Sequence, residues 1–316
     1  MAKNQVKLAP KKSKIVLPTW AWFAFIAIAF ALIYPYIFDK IVNLGGDNAG
    51  YYILGKALSS GDGYTNVHVP GEPAHNHFPP GYPVILAAFM FFTQGITFLK
   101  IVNGFFLLGT TMLMFVLLRR FTENKLLAFA ASILLLFNFH LLSYSTIMMS
   151  EIPFLFFATL AMLLFMNSHG EKPFYKNPNF YALIIVSSFA YHIRTAGIAL
   201  VAGFALYMLI EKQFKMFGAY LLGFTALGIP WFLRGQALGG SSYLTQLFLK
   251  NPYRPEEGAM QIGDWFTRFG ANATRYLGKE IPNGVFPSLS VGYQANGDSH
   301  LLVGILIVAI AVFGIF

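Results

Sequence analysis

Apolar runs of about membrane-crossing length alternate with short polar joints through most of the chain. A helix needs roughly 20 apolar residues to cross the hydrocarbon. The pattern predicts spans at about 19–39, 97–118, 126–145, 151–167, 179–193, 195–210, 215–233 and 301–316. Only a tight turn at Arg194 divides the pair 179–193 and 195–210. Between the first two spans, residues 47–59 carry Tyr51, Leu54 and Leu58 at helical spacing. They predict a short amphipathic helix lying on the membrane surface. Residues 83–94 follow Pro79-Pro80-Gly81 and are apolar but short, which predicts an interfacial segment. Residues 234–300 predict a long polar loop holding Trp265, Arg268, Arg275 and Lys279.

The expected architecture is an all-α polytopic membrane protein. A basic tail (1–18) leads into a transmembrane core (19–233) that includes an outer loop at 40–96. A second outer loop follows at 234–300. The run 301–316 ends without a flanking charge or cap and reads as the start of a further span in a longer protein.

Composition supports the same class. The chain has 316 residues, 56% hydrophobic and 11% charged, with mean hydropathy +0.59, whereas soluble domains carry about a quarter charged residues. The net charge of +9 does not point to nucleic acid, because many Lys and Arg sit at the ends of apolar runs. Five lysines precede Trp20, and further cations fall at Arg119-Arg120 to Lys125, Lys172 to Lys176, and Lys212 to Lys215. The positive-inside rule puts these joints and the N-terminus in the cytoplasm. The run Trp20 to Ile37 has no small-residue cleavage site and reads as a retained helix rather than a signal peptide. There is no Cys, so neither disulfides nor thiolate metal sites are expected.

Asp47, Asp62, His75, His77, Glu151 and Arg194 then share the outer face. Asp47 at a helix start suits an N-cap; it also suits a general base for a hydroxyl attacking an anomeric carbon, or a metal ligand. Glu151 is the only acid between Lys125 and Asn167. An acid in such an apolar stretch points to function, with helix capping as the plainer alternative. Arg194 suits bidentate phosphate binding, against a snorkelling anchor. His75 and His77 at i, i+2 could join Asp47 and Glu151 around a divalent metal ion. The Pro-Pro-Gly turn would present Phe78 and Tyr82 to a lipid or sugar. Asn272-Ala273-Thr274 matches a glycosylation sequon.

Taken in order, these features resemble a known group. They are the basic tail, Asp47 beside Tyr51-Tyr52, His77-Phe78-Pro79-Pro80-Gly81-Tyr82-Pro83, Ser150-Glu151-Ile152-Pro153 and Arg194-Thr195-Ala196-Gly197. Over roughly residues 15 to 235 the chain resembles the membrane glycosyltransferases of the C-type (GT-C) fold. The nearest are family 39, with its protein O-mannosyltransferases, and the aminoarabinose transferases of lipid A.

The resemblance implies a GT-C helix bundle with outer juxtamembrane helices, with membrane lipids and no nucleic acid among its partners. It implies a polyprenyl-phosphate-linked sugar as donor, a lipid, glycan or protein acceptor, and transfer on the outer face of a bacterial inner membrane. By the same resemblance Asp47 is the catalytic base and Glu151 lies beside the active site or a metal. Tyr51, Tyr52, His75 and Phe78 would contact substrate. Relatives often place Lys before the prolines and another where Arg194 stands. Here Phe78 precedes them, so Arg194, with His77 and Tyr82, is expected to take the phosphate. Protein mannosyltransferases carry two adjacent acids in the first loop, where this chain has Asp47-Asn48. A transporter or flippase for a lipid-linked or anionic substrate is the alternative from another class, and a polymerase or ligase of lipid-linked glycans a third.

Overall fold

The structure is a computed structural model describing residues 17–41, 45–169, 173–240, 242–251, 254–292 and 297–314. Most of the basic tail, including its five lysines, and Lys172 lie outside the described residues. Helices account for all the regular structure among the described residues, apart from two isolated β-bridges.

The bundle comprises α1 (Thr19–Ile37), α2 (Asp47–Ser60), α3 (Gly81–Met90), α4 (Ile96–Leu118), α5 (Lys125–Leu136), α6 (Phe139–Ser145), α7 (Glu151–Ser168), α8 (Pro178–Ile193), α9 (Gly197–Ile210) and α10 (Phe214–Ala237). Beyond it come α11 (Ser242–Phe248), α12 (Ile262–Arg275), a π-turn at Tyr276–Glu280, α13 (Ile281–Val285) and α14 (Leu301–Phe313). The chain is an all-helical polytopic membrane protein.

Length revises the expected spans. Helices α1, α4, α7 and α10 are long and apolar enough to cross a bilayer, and α5 with α6 makes a fifth if the bent pair is one span. The 126–145 run is two helices at 60° rather than one. The break falls at Asn138, whose side chain accepts from the Leu141 N–H and caps α6. Helices α8 and α9 have 16 and 14 residues, about 24 and 21 Å at 1.5 Å per residue. Both are shorter than the four helices that pass on length and apolarity. Arg194, extended at φ −144°, ends α8.

Helix α7 is the hub, packed against α4 on one side and α8 on the other. One core cluster joins α7 to α10 through Phe180, Leu183, Phe204, Met208 and Tyr220. Another joins α1, α4, α5, α6 and α7 through Tyr34, Leu107, Leu136, Leu142 and Ile152. Glycines admit aromatic rings between helices: Tyr34 lies on Gly104 and Phe156 on Gly109, the small-residue contact typical of membrane bundles. Large side chains such as Leu222, Phe232 and Ile310 stay exposed, as lipid-facing surface should.

The bundle has two distinct ends. At one, Arg119 Nη1 donates to Thr19 Oγ1 at 3.0 Å, Arg120 to Asn167, Lys125 Nζ to Leu17 O at 3.3 Å, and His169 pairs with Gln213 at 3.0 Å. At the other lie α2, α3, the 61–80 loop and the starts of α7 and α9.

The two pieces expected at the surface are more deeply built in. Helix α3 begins at Gly81 and buries Tyr82, Leu86 and Met90 against α2 and α8. The described residues of 234–300, expected as loop, are largely helical.

Candidate active site

Two alternatives from the sequence fail on geometry. Helix α2 starts at Asp47, but its N-cap is Gly46, at φ 61°, and no side chain caps it. Helix α7 starts at Glu151 and likewise has no side-chain cap bond. Neither acid caps its helix through its side chain, although each stands in a first turn, where the helix dipole favours negative charge. Arg194 is not simply a headgroup anchor either: its Nη1 lies 2.7 Å from Glu151 Oε1 and donates to Ser150 Oγ at 3.0 Å.

Ser150 joins this pair to α2, because its Oγ lies 3.1 Å from the Tyr51 hydroxyl. Burial pushes the Tyr51 phenol up; the Ser150 bond and the Arg194 charge oppose this, while Asp47 and Glu151 add to it. Tyr51 therefore stays protonated and sits in the field of Asp47, Glu151 and Arg194 together. The other carboxylate oxygen, Glu151 Oε2, is buried with no hydrogen-bond partner. Such an orphan acceptor costs about 1–3 kcal/mol, more for a charged group, and marks a place where a ligand hydroxyl could bind. The named bonds of Arg194 use Nη1 alone, and its side chain is 37% exposed. The rest of the guanidinium can face an anion.

The aromatic residues form the wall behind these charges. Tyr51 meets Phe78 at 4.8 Å and Tyr82 edge-on at 4.9 Å between ring centroids. Phe78 also fills the space a Cβ on Gly50 would take, one helical turn beyond Asp47. Tyr82, expected at the phosphate, is fully buried, with its hydroxyl donating to Asn103 Oδ1 at 3.1 Å. It shapes the site from behind. Tyr52 also departs from expectation: its hydroxyl donates to Gln94 O at 3.3 Å, since neighbouring helix positions point about 100° apart.

His75 is committed to the loop. Its Nε2 accepts from the Phe78 N–H at 2.8 Å, so its Nδ1 carries the proton and faces Asn66 Oδ1 at 2.9 Å. Burial, then the nearby His77, Arg234 and His68, hold its pKa down to about 4. A neutral ring with both nitrogens engaged orders residues 64–80; it does not present an edge to substrate or metal. His77 instead lines a cavity, discussed below. Among the described residues no group of three or more His, Asp or Glu side chains could hold a metal ion. Of the expected donors Asp47 and Glu151, Glu151 is paired with Arg194.

The sequence reading missed three residues. Asn103 donates to Ile147 O at 2.6 Å and Met149 O at 2.9 Å, fixing the segment that delivers Ser150 and Glu151. Lys100, one turn earlier, donates to Asp39 O and to Ile41 O at 2.9 Å, closing the end of α1. Both are polar residues inside an apolar span, a signal as strong as the one that picked out Glu151. Arg234, near the end of α10, donates to His75 O at 2.9 Å and Tyr64 O at 3.1 Å and packs over the rings of Tyr64 and Trp231. Tyr64 in turn donates to Phe78 O at 3.0 Å, and burial raises its phenol pKa.

Beside the charges lies a cavity of about 720 Å³. Its walls are mostly apolar, from Phe224, Ile229, Trp231 and Phe232 of α10 and from Leu247; Asn76 and His77 line it from the loop. Arg194 sits between two further lining residues, Tyr191 and Thr195.

Against known families, residues 76–238 match the model for dolichyl-phosphate-mannose-protein mannosyltransferase, just over half of the chain. The chain belongs to that family. No curated protein and no solved structure matches it. As a member of the mannosyltransferase family it is a membrane glycosyltransferase of the GT-C class, a family that uses polyprenyl-phosphate-linked sugars. That places it among enzymes rather than the transporters also considered. The matched stretch of this family member takes in the Pro-Pro-Gly turn, Glu151, Arg194 and Arg234. It begins beyond Asp47 and Tyr51.

Proposed function

We propose that the chain transfers a sugar from a polyprenyl-phosphate donor to an acceptor hydroxyl at the outer face of a bacterial inner membrane. The observation that carries this reading is the juxtaposition of an apolar cavity with a partly exposed arginine oriented by an acid. A prenyl chain needs an apolar path from lipid, and its phosphate needs a fixed cation at the end of that path. The cavity supplies the first, and Arg194, next in sequence to the lining residue Thr195, supplies the second. His77 lines the same cavity from the other side.

In this reading Asp47 takes the acceptor's proton as its oxygen attacks the anomeric carbon. The C1–O bond to phosphate breaks, C1 inverts, and polyprenyl phosphate leaves as an anion. Arg194 meets the negative charge that grows on the phosphate, in the manner of preorganised electrostatic stabilisation. Glu151 and Ser150 hold the guanidinium so that it need not reorganise. The leaving group needs no proton, since a phosphate already departs readily, and no step is routed through a metal. The orphan Glu151 Oε2 is placed to accept from a sugar hydroxyl. The donor sugar and the class of acceptor are open within the family; mannose is the sugar in the family's description.

The test is turnover of polyprenyl-phosphate sugars by the purified protein in nanodiscs, followed by release of polyprenyl phosphate. Release that persists in chelator and disappears in Asp47→Asn is the expected result. Release by Asp47→Asn at the wild-type rate would remove the base assignment. Loss of turnover in chelator, restored by a divalent cation, would overturn the metal-free mechanism.

A further inference from the structure

Helix α7 has 18 residues, about 27 Å at 1.5 Å per residue, so its last turn stands far from Glu151. Around that turn lies a second cavity, of about 560 Å³. Ser168 and His169 line it from the end of α7, Phe174 from the joint to α8, and Lys212 to Met216 from the joint between α9 and α10.

Two features of this cavity go beyond packing. The first is its charge. At this end of the bundle Arg119, Arg120 and Lys125 each donate to protein, to Thr19, Asn167 and Leu17. Lys212 and Lys215 are exposed, and neither ammonium has a hydrogen-bond or ion-pair partner among the described residues. Glu211, next in sequence, does not line the cavity. The second is backbone conformation. Lys212 sits at φ 57°, a left-handed position that favours glycine at a helix end because a Cβ is crowded there. Backbone bonds alone close the turn, from the Lys212 N–H to Leu209 O at 3.0 Å and from the Gln213 N–H to Met208 O at 2.8 Å. The turn has no need of a lysine side chain.

The other walls are fixed. His169 Nδ1 meets Phe165 O at 2.8 Å and its Nε2 meets the Gln213 side chain at 3.0 Å, which ties the end of α7 to the start of α10. Ser168 and Met216 are buried. Beside the cavity, Ile210 and Phe214 are 68 and 63% exposed, on helices whose outer surface is apolar. A ligand here meets two free cations where the helices end and apolar side chains that lead along the bundle. A soluble phosphate would use the cations alone; a phospholipid uses both. Basic pockets between helix ends suit anionic headgroups for that reason.

We propose that this cavity seats one anionic phospholipid of the leaflet remote from the active site, its phosphate held by Lys212 and Lys215 and its acyl chains against Ile210 and Phe214. The lipid links the α7–α8 joint to the α9–α10 joint. Nothing in this assignment depends on the sugar-transfer reading.

Native mass spectrometry of the full chain, with phosphatidylglycerol and phosphatidylethanolamine at equal concentration, tests it. The first phosphatidylglycerol should bind at least tenfold more tightly than phosphatidylethanolamine, and the double variant Lys212→Gln/Lys215→Gln should lose that preference. Equal affinity for the two lipids, or a preference that survives the double variant, would overturn the proposal. Glycerol 1-phosphate at equal concentration should leave the lipid bound; displacement would mean a soluble phosphate ligand and would overturn the lipid assignment. Lys212→Gly separates binding from folding. Glycine relieves the left-handed backbone, so Tm in lipid-free detergent should hold or rise while phosphatidylglycerol affinity falls at least threefold. A lower Tm would mean that Lys212 serves the turn, and would overturn the proposal; so would unchanged affinity.

Discussion

Two regions, residues 45–95 and the described residues of 242–300, are both short helices and turns between apolar helices, yet they are fastened in opposite ways. The first is bolted to several helices at once: Tyr51 to the start of α7, Tyr82 to α4, and the 64–80 loop to Arg234 of α10. The second is tied chiefly to itself, through Arg268, Lys250–Asp264 and Arg275–Glu280. Its polar links to the bundle include those from Asn138 and His140 to the carbonyls of Gly284 and Asn283. A region whose groups must meet within hydrogen-bond reach needs the first kind of fastening. A region that covers a surface can use the second.

The contrast predicts a gradient of effects. The largest belongs to Asp47→Asn, with turnover down about 10²- to 10⁴-fold, the usual range for a lost general base. Donor binding, measured by titration in nanodiscs, should change little. Arg194→Lys comes next. The lysine keeps the charge but not the planar fork, and kcat should fall by about 10²-fold, as when one preorganised donor is removed; an equal turnover number would separate Arg194 from the transition state. Gly81→Ala should destabilise the fold by about 1–3 kcal/mol, the range for overpacking, read as a drop in Tm.

Acidification is a gentler probe. Folding holds His75 at about 4 against an ordinary 6.5, so between those values the folded chain binds fewer protons there than the unfolded chain. The stability this contributes is complete above about pH 6.5 and is lost as pH falls toward 4. Thermal melts across that window should show the slope, and His75→Phe should flatten it. The smallest effect belongs to the second region: Arg275→Gln breaks a half-exposed ion pair worth about 0–1 kcal/mol, and turnover should stay within twofold.

The bundle was legible because an apolar run of membrane length is a direct physical signal. The site was legible in part. Glu151 and Arg194 stood out as charges in apolar surroundings, and the structure brings them together. Their partner Ser150 stood out only as part of the Ser150-Glu151-Ile152-Pro153 motif, because a serine gives no chemical signal of its own until its neighbours in space are known. Tyr51 and Tyr52 were indistinguishable as a pair; only helix phase sends one to Ser150 and the other to Gln94. The break at Asn138 was missed because a single polar residue barely lowers a hydropathy average, although its side chain caps a new helix. Residues 262–275 read as loop because charged and apolar positions alternate there too finely for an average to register, while at 3.6 residues per turn they separate cleanly.

Gly81 bears on how the enzyme can work. A Cβ there would stand 2.6 Å from the His192 carbonyl carbon and the Ile193 nitrogen, so α3 meets the end of α8 backbone to backbone. With no side chain between them, neither helix can slide or rotate without the other. Arg194 follows Ile193 directly, and α3 carries Tyr82 against Tyr51 and so against α2. The end of α8 that leads into Arg194 and the helix that bears Asp47 are thereby coupled through α3, so a shift of either would have to carry α3 with it.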